Sequence, residues 1–342
     1  MNYIGSKHSI IDFLEESIID FTKGEGKVFC DIFAGTGVVG KRFKMLGYDV
    51  IANDIEFYSY VLNKHYLENN GEILFSKLKL MGIEPFIYLN KLNDYKGFIY
   101  ENYTVAGTKD KAYERCYFKE ENAIKIDSMR NQIEKWYKKE EINKNEYFYL
   151  LSCLIEAADR VANTASVYEA FLKKIKTSAW KDIELKPLEI VINKNTKSKV
   201  YIKDSDELIK EIKGDILYLD PPYNSRKYSS NYHILETIAY NDSPMIKGKT
   251  GLRINQESSK YNKKKEVALA FENMVKNANF KYIFLSYNDE GLMSMEEIEA
   301  IMKKYGRYKR YERNHKRYKA NKDKETVKKT TIEYLHALEK NL

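Results

Sequence analysis

A doubly wound α/β sheet interrupted by a helical insertion is the fold class this sequence predicts, on three observations. Apolar runs at 27–34, 48–52, 214–219 and 281–286 have the length and continuity of parallel strands buried on both faces. Between the first two runs a glycine turn, Gly35-Thr36-Gly37-Val38-Val39-Gly40, leads into an amphipathic stretch ending near Leu46, so the local order is strand, turn, helix. From about Gly71 to Asn195 the apolar spacing becomes helical, and strand patterns resume near Lys199. The expected organisation is a discontinuous sheet domain, residues 1–70 and 196–342, carrying an inserted, mainly helical domain at 71–195.

The first strand, Lys27 to Ala34, delivers the chain to glycines that let the backbone pass close to a ligand, and the helix after them starts with free N–H groups. The second strand, Tyr48 to Ala52, ends in Asn53-Asp54, where a carboxylate can hold both hydroxyls of a ribose. Taken alone, this spacing is also the dinucleotide fingerprint, so NAD and hydride transfer stand as a rival reading. In the insertion the clearest helical pattern runs from Glu146 to Lys174, with Phe148, Leu151, Ile155, Ala158, Val161, Val167 and Phe171 on one side. Arg160, Asn163, Thr164, Ser166 and Lys173, on or near it, are of the kinds that reach base edges or phosphates, and equally of the kinds that solvate a helix.

The strand Gly214 to Leu219 ends in Asp220-Pro221-Pro222-Tyr223, at the carboxyl edge where open α/β sheets bind ligands. The competing reading is a Pro-Pro turn closing a buried strand, with Asp220 as turn initiator and Tyr223 as a core residue. The tetrapeptide suits methylation of an exocyclic amine on a nucleobase. Such an amine is a poor nucleophile because its lone pair is delocalised into the ring. Two acceptors aimed at its N–H bonds draw the pair out of conjugation: a carboxylate oxygen of Asp220 and the backbone carbonyl of Pro221, whose direction the paired prolines restrict. Tyr223 then offers a ring face on which an extruded base stacks. Hydride transfer has no use for this platform, and S-adenosylmethionine has no pyrophosphate to cradle.

Asn224-Ser225-Arg226-Lys227-Tyr228 follows, polar and basic, then a helical pattern from Tyr232 to Ala239 and a lysine- and glycine-rich stretch, Asn241 to Lys265, that reads equally as a loop closing over an extruded base or as a disordered surface loop. Lys281 to Ser286 is the next strand and Thr331 to Leu338 the last. Between them, from Lys303 to Lys329, basic residues including Arg310, Arg313 and Arg317 interleave with Tyr305, Tyr308, Tyr311 and Tyr318. That composition fits a surface tracking a phosphate backbone, and also a solvated basic hairpin.

With these motifs in place, the chain resembles the DNA adenine methylase family: class-alpha, adenine-specific DNA amino-methyltransferases that use S-adenosylmethionine and whose cofactor motif, target-recognition region and catalytic motif come in that order. The resemblance extends to Asn2-Tyr3-Ile4-Gly5-Ser6-Lys7, similar to the family's aromatic-x-Gly-x-Lys motif. It implies a Rossmann-like methyltransferase sheet, with Tyr3, Gly5 and Lys7 beside the cofactor's methionine portion and Lys7 facing its carboxylate. It implies that Phe33, Gly35 and Gly37 line the same portion, that Asp54 holds the ribose, and that Asp220 touches both the methionine end and the target amine. Asp204 resembles the acidic residue near the cofactor adenine, although Ser205 stands where the family usually has Phe. The insertion becomes the target-recognition region, and Arg226, Lys227, Arg310, Arg313 and Arg317 the expected DNA contacts. The expected activity is methylation of adenine N6 in duplex DNA, with a cognate restriction endonuclease as the partner such enzymes have in restriction-modification systems. N4-cytosine methylation, RNA methylation and a DNA-binding subunit without turnover are the alternatives.

Composition agrees. The chain has 342 residues and a net charge of +8, suited to a polyanionic partner. Cys30, Cys116 and Cys153 are too few and too far apart for a disulfide framework or zinc site, and the five histidines show no ligand spacing, so no metal is expected. No apolar run approaches membrane-spanning length and no signal segment is evident, so a cytoplasmic protein is expected.

Overall fold

A computed structural model describes residues 6–224, 228–254, 259–316 and 330–341. Tyr3, Gly5, Arg226, Lys227 and Arg317 lie outside the described residues. Among the described residues nine strands occur in chain order: β1 (Val28–Asp31), β2 (Asp49–Asn53), β3 (Lys199–Tyr201), β4 (Lys213–Leu219), β5 (Ile246–Lys247), β6 (Leu252–Arg253), β7 (Asn279–Asn288), β8 (Gly306–Lys316) and β9 (Thr330–Lys340). Seven form one sheet in the order β3-β2-β1-β4-β7-β9-β8, and β5 and β6 form a separate hairpin. Neighbours from β3 through β7 are parallel, while β9 runs antiparallel between β7 and β8. The fold is thus the mainly parallel α/β sheet expected.

The apolar runs become strands buried on both faces because each face has its own helical layer. Cys30, Leu217, Leu219, Ile283 and Leu285 pack under the helices Val267–Asn277 and Met295–Lys303. Phe29, Val50, Ile216, Phe284, Leu335 and Ala337 pack under Ile11–Thr22 and Val38–Met45. After β1 the chain winds outward through β2 to β3, then returns to place β4 on the other side of β1. This reversal puts a crevice beyond the carboxyl ends of β1 and β4, the position where such sheets bind ligands.

The described residues divide into two compact units: 6–70, 191–224, 228, 259–316 and 330–341 in the sheet unit, 71–190 and 229–254 in the helical one. The segment 229–256, which lies outside the expected insertion, joins the helical unit through bonds from buried side chains to backbone carbonyls. Arg130 donates to Ile238 O and Ala239 O (2.8 and 3.0 Å), at the end of the helix His233–Tyr240. Arg115 donates to Gly248 O and Lys249 O and Tyr103 to Gly251 O, while within the segment itself His233 contacts Thr250 O. What reads as a loose lysine-glycine loop therefore contains a hairpin, β5–β6, pinned from beneath.

The long helix of the helical unit, Lys144–Val161, starts with a capping box formed by Asn143 and Glu146 and stops well before Lys174. The stop is set by Asn163, which is buried and donates to Cys116 O and Leu172 O (each 2.9 Å) while accepting from Lys176 N, so the chain turns back on itself. Asn163 is therefore a loop organiser and not a free polar group. Arg160 and Lys173 remain exposed.

The basic segment after Lys303 is partly an edge strand, β8. Its charges are largely engaged along the strand: Arg307 with Glu339, Lys309 with Asp20, and Arg310 over the ring of Tyr334 at 5.2 Å. Arg313 is exposed. Lysine and arginine on an outer strand also discourage edge-to-edge pairing with another sheet.

Candidate active site

Asp220 follows the last residue of β4 directly, so the strand fixes its backbone at the carboxyl edge of the sheet. Pro221 is buried; Pro222 and Tyr223 are half-buried. The backbone carbonyl of Tyr223 accepts from Leu292 N at 2.9 Å, and its ring meets that of Tyr287 edge to face, centroids 6.2 Å apart. Tyr287 is itself wedged by Gly291, where a Cβ would come within 2.0 Å of the ring. The tetrapeptide is thus braced against β7 and the turn after it.

Lys7 opens the first short helix and reaches this platform. Its Nζ lies 3.0 Å from Asp220 Oδ1 and 5.8 Å from the centre of the Tyr223 ring, with only 5% of the side chain exposed. The two partners do not shift symmetrically. Burial works against the Lys7 ammonium, but Asp220, Glu333, Tyr218 and Tyr223 together raise its pKa well above the usual lysine value. At Asp220 burial outweighs the stabilising effect of Lys7, and with a smaller push from Glu333 the carboxyl is raised to about 6. The single ammonium does not fully offset the loss of hydration at Asp220.

At the other side of the crevice the glycine turn is held in place from below. Gly35 donates its N–H to Asp54 Oδ2 at 2.8 Å, and its carbonyl accepts from Asn63 Nδ2 at 3.0 Å and from Ser59 Oγ. Gly37 adopts φ +77°, and a Cβ there would lie 2.7 Å from Asn63 Oδ1, so both backbone and space demand glycine. Asp54 also accepts from Glu56 N at 2.9 Å; burial, its largest perturbation, raises its pKa. Its carboxylate therefore shapes the turn whatever else it binds. Phe33 packs edge to face on Tyr261, centroids 5.1 Å apart. Asp204 is exposed and caps the short helix Ser205–Leu208, accepting from Asp206 N and Glu207 N.

Two carboxylate oxygens, Asp31 Oδ1 and Glu333 Oε2, are buried with no hydrogen-bond partner among the described residues. Alternation along β1 and β9 puts both residues on the face that carries Phe29 and Leu335. Burial first, and then repulsion from Asp220 and Asp54, raises the pKa of Asp31 well above the usual carboxylate range. No group of three or more His, Cys, Asp or Glu side chains able to hold a metal occurs among the described residues, and no described helix is long and apolar enough to cross a membrane.

Comparison with known proteins decides the family. The model of the D12 class N6 adenine-specific DNA methyltransferases matches residues 3–301, which include both the glycine turn and Asp220-Tyr223. The chain belongs to that family. It is similar to the type II methyltransferase M.NlaIII of Neisseria lactamica, 46% identical over 344 residues and 99% of each chain. It is 44% identical to the type II methyltransferase M.FokI of Planomicrobium okeanokoites, over 90% of this chain and 47% of that protein. It is 40% identical to the modification methylase StsI of Streptococcus sanguinis, over 89% of this chain and 46% of that protein. This chain thus spans about half the length of the last two.

In this D12-class methyltransferase the structure brings Lys7, Asp31, Asp54, the glycine turn and Asp220-Tyr223 to the carboxyl end of the sheet unit. Sequence reasoning leaves Asp31 without a role and misses Tyr287 and Glu333. A carboxylate in an apolar strand is the available signal for Asp31. For Glu333, in the strand Thr330–Lys340, the same signal is masked by the charge-rich sequence before it.

Proposed function

We propose that this chain transfers a methyl group from S-adenosylmethionine to the N6 amine of adenine in duplex DNA, within one short sequence, with the base rotated out of the stack. The observation that carries the reading is a carboxylate, Asp220, fixed at the end of β4 beside a prolyl carbonyl, with the Tyr223 ring following. Rotating the base out costs a few kcal/mol, offset in part by stacking on Tyr223. Asp220 and the Pro221 carbonyl accept the two amine hydrogens, which localises the lone pair on N6. Positioning and exclusion of water are the protein's main contributions.

The residues around the crevice fit the methyl donor. Gly35 and Gly37 present bare backbone, the unpartnered Asp31 oxygen suits an ammonium, and Asp54, which braces the glycine turn through Gly35 N, is the carboxylate assigned to the ribose hydroxyls. S-adenosylmethionine supplies, when bound, an electrophilic methyl group on a sulfonium. Lys7, with N–H bonds beyond the one given to Asp220, is the group for its carboxylate, and family likeness assigns Tyr3, Gly5 and Phe33 to the same methionine portion. Asp204 is the acidic residue assigned to the adenine end. Pairing by Lys7 keeps Asp220 ionised and oriented.

The helical unit is the target-recognition region, with the exposed Arg160 and Lys173 among its contacts. Arg226, Lys227, Arg310, Arg313 and Arg317 serve the phosphate backbone. The names of the relatives, type II methyltransferases and a modification methylase, support a cognate restriction endonuclease as partner. Nucleoside mass spectrometry of DNA from expressing cells, with mapping of modified positions, tests the reading: N6-methyladenine at one recurring sequence is expected, and N4-methylcytosine refutes it.

A further inference from the structure

We infer that the turn Gly248-Lys249-Thr250-Gly251, at the tip of the β5–β6 hairpin, is a binding site for one backbone phosphate of the duplex. The inference deepens the reading of the chain as an enzyme acting on duplex DNA and rests on it.

The turn is built on Arg115. That side chain is only 6% exposed, and its guanidinium donates to Gly248 O at 3.0 Å, Lys249 O at 3.1 Å and Asn102 O at 3.2 Å. Tyr103 Oη donates to Gly251 O at 2.8 Å, and His233 Nε2 lies 3.1 Å from Thr250 O. All four carbonyls of the turn are therefore held by side chains of the helical unit. Gly251 closes the turn at φ +69°, where a Cβ would come within 2.9 Å of Tyr103 and 3.0 Å of Arg115, and its N–H returns to Gly248 O at 3.2 Å.

A planar trans peptide carries its N–H opposite its carbonyl. The two peptide units whose carbonyls face Arg115 therefore aim the N–H groups of Lys249 and Thr250 away from it, on a turn where Gly248 and Lys249 are exposed. Neither N–H has a hydrogen-bond partner among the described residues. Successive backbone N–H groups turned outward in this way are an anion site.

The charges agree. Arg115 grips three neutral carbonyls and pairs with no carboxylate among the described residues, so a buried cation lacks a counter-ion and polarises the peptides it holds. Lys247 and Lys249 are exposed and in no ion pair among the described residues. Arg253, on the other strand of the hairpin, is already taken by Asp242 at 2.6 and 2.9 Å. The missing anion comes from outside. Because the turn is open and not enclosed, it suits a phosphate presented by a duplex bound elsewhere along its length better than a small free anion. Such a contact fixes the register of the duplex and carries no sequence information.

The test is binding of the intact chain to a duplex carrying its methylated sequence, over a range of salt, for the wild type, Lys249→Ala and Lys249→Pro. Proline suits the second position of such a turn, so the latter change removes the N–H as well as the ammonium while keeping the fold, which circular dichroism checks. Lys249→Ala is expected to weaken binding several-fold and to lower the salt slope by about one unit. Lys249→Pro should weaken it about tenfold more at every salt concentration, the loss for a hydrogen bond to a charged group, with no further fall in slope. Backbone phosphates are then replaced singly by neutral methylphosphonates. One position should cost the wild type about tenfold and Lys249→Pro less than about twofold. Unchanged affinity and slope in Lys249→Ala, equal affinities of the two variants, or one neutral-phosphate profile shared by wild type and Lys249→Pro overturns the inference. Where Lys249→Pro does not fold, Lys249→Ala decides: its profile must be less sensitive than the wild type's at that position. A wild type that neither binds nor methylates duplex DNA refutes the wider reading, whereas normal methylation with variants that bind like the wild type overturns only the role of the turn.

Discussion

Lys7 Nζ and Asp220 Oδ1 lie 3.0 Å apart in a nearly buried ion pair, joining the first described turn of the chain to the end of β4. Because burial nonetheless raises the Asp220 carboxyl to about 6, the ionisation of one side chain should govern the pH dependence of transfer. Asp220 accepts the amine only as a carboxylate. Single-turnover rates are therefore expected to be level above a limb near 6 and to fall about tenfold per pH unit below it. A limb near 4 would mean that burial leaves the Asp220 carboxyl unperturbed.

The glycine turn has a direct stability consequence. Gly37→Ala forces a left-handed residue to carry a Cβ into Asn63 Oδ1, 2.7 Å away. The strain of that conformation is roughly 1–2 kcal/mol, so denaturant unfolding should show a loss of at least that size, together with weaker binding of the methyl donor. Unchanged stability would mean that the turn is loose enough to admit a side chain.

Asp54 separates the methyl donor from a dinucleotide. Its carboxylate holds the Gly35 N–H and is assigned to the ribose, so Asp54→Asn should weaken S-adenosylmethionine binding by about 10- to 150-fold, the equivalent of roughly 1.5–3 kcal/mol for a charged hydrogen bond. Lys7→Gln should weaken it as well. Calorimetric titration of wild type and variants with S-adenosylmethionine and with NAD measures both. Tight NAD binding with no affinity for S-adenosylmethionine would reverse the assignment.

The basic edge should contribute affinity without sequence preference. Replacing Arg310, Arg313 and Arg317 by Gln is expected to weaken binding to all duplexes and to flatten the salt dependence by up to about one unit of slope for each phosphate no longer neutralised. The methylated sequence should stay the same. Since Arg310 already stacks on Tyr334, Arg313 should carry more of the effect. A changed target sequence would move recognition from the helical unit to β8.

Much of the fold and the site is legible in the sequence because it depends on local patterns. The buried strands, the glycine turn and Asp220-Tyr223 each announce themselves within a few residues, and β1, β2, β4 and β7 fall where the apolar runs put them. What stays hidden depends on distant pairings. The attachment of 229–256 to the helical unit rests on Arg115, Arg130 and Tyr103 finding backbone carbonyls far along the chain, which no periodicity reports. The end of the helix Lys144–Val161 is set by Asn163 and its partners, although apolar spacing continues past it. Family likeness alone assigns Lys7 to the cofactor, and its pairing with Asp220 emerges only where β4 and the first helix meet.

The central claim is that Asp220 holds the adenine amine for methyl transfer. It is tested most directly by incubating wild type and Asp220→Ala with duplex DNA and labelled S-adenosylmethionine, then identifying the nucleoside product by mass spectrometry. The variant should fold, with circular dichroism and thermal unfolding close to the wild type. In the same assay Tyr223→Ala should act more weakly, losing stacking of roughly 1–3 kcal/mol. The account predicts labelled N6-methyladenine from the wild type and none above background from folded Asp220→Ala; near-normal N6-methyladenine from that variant would contradict it.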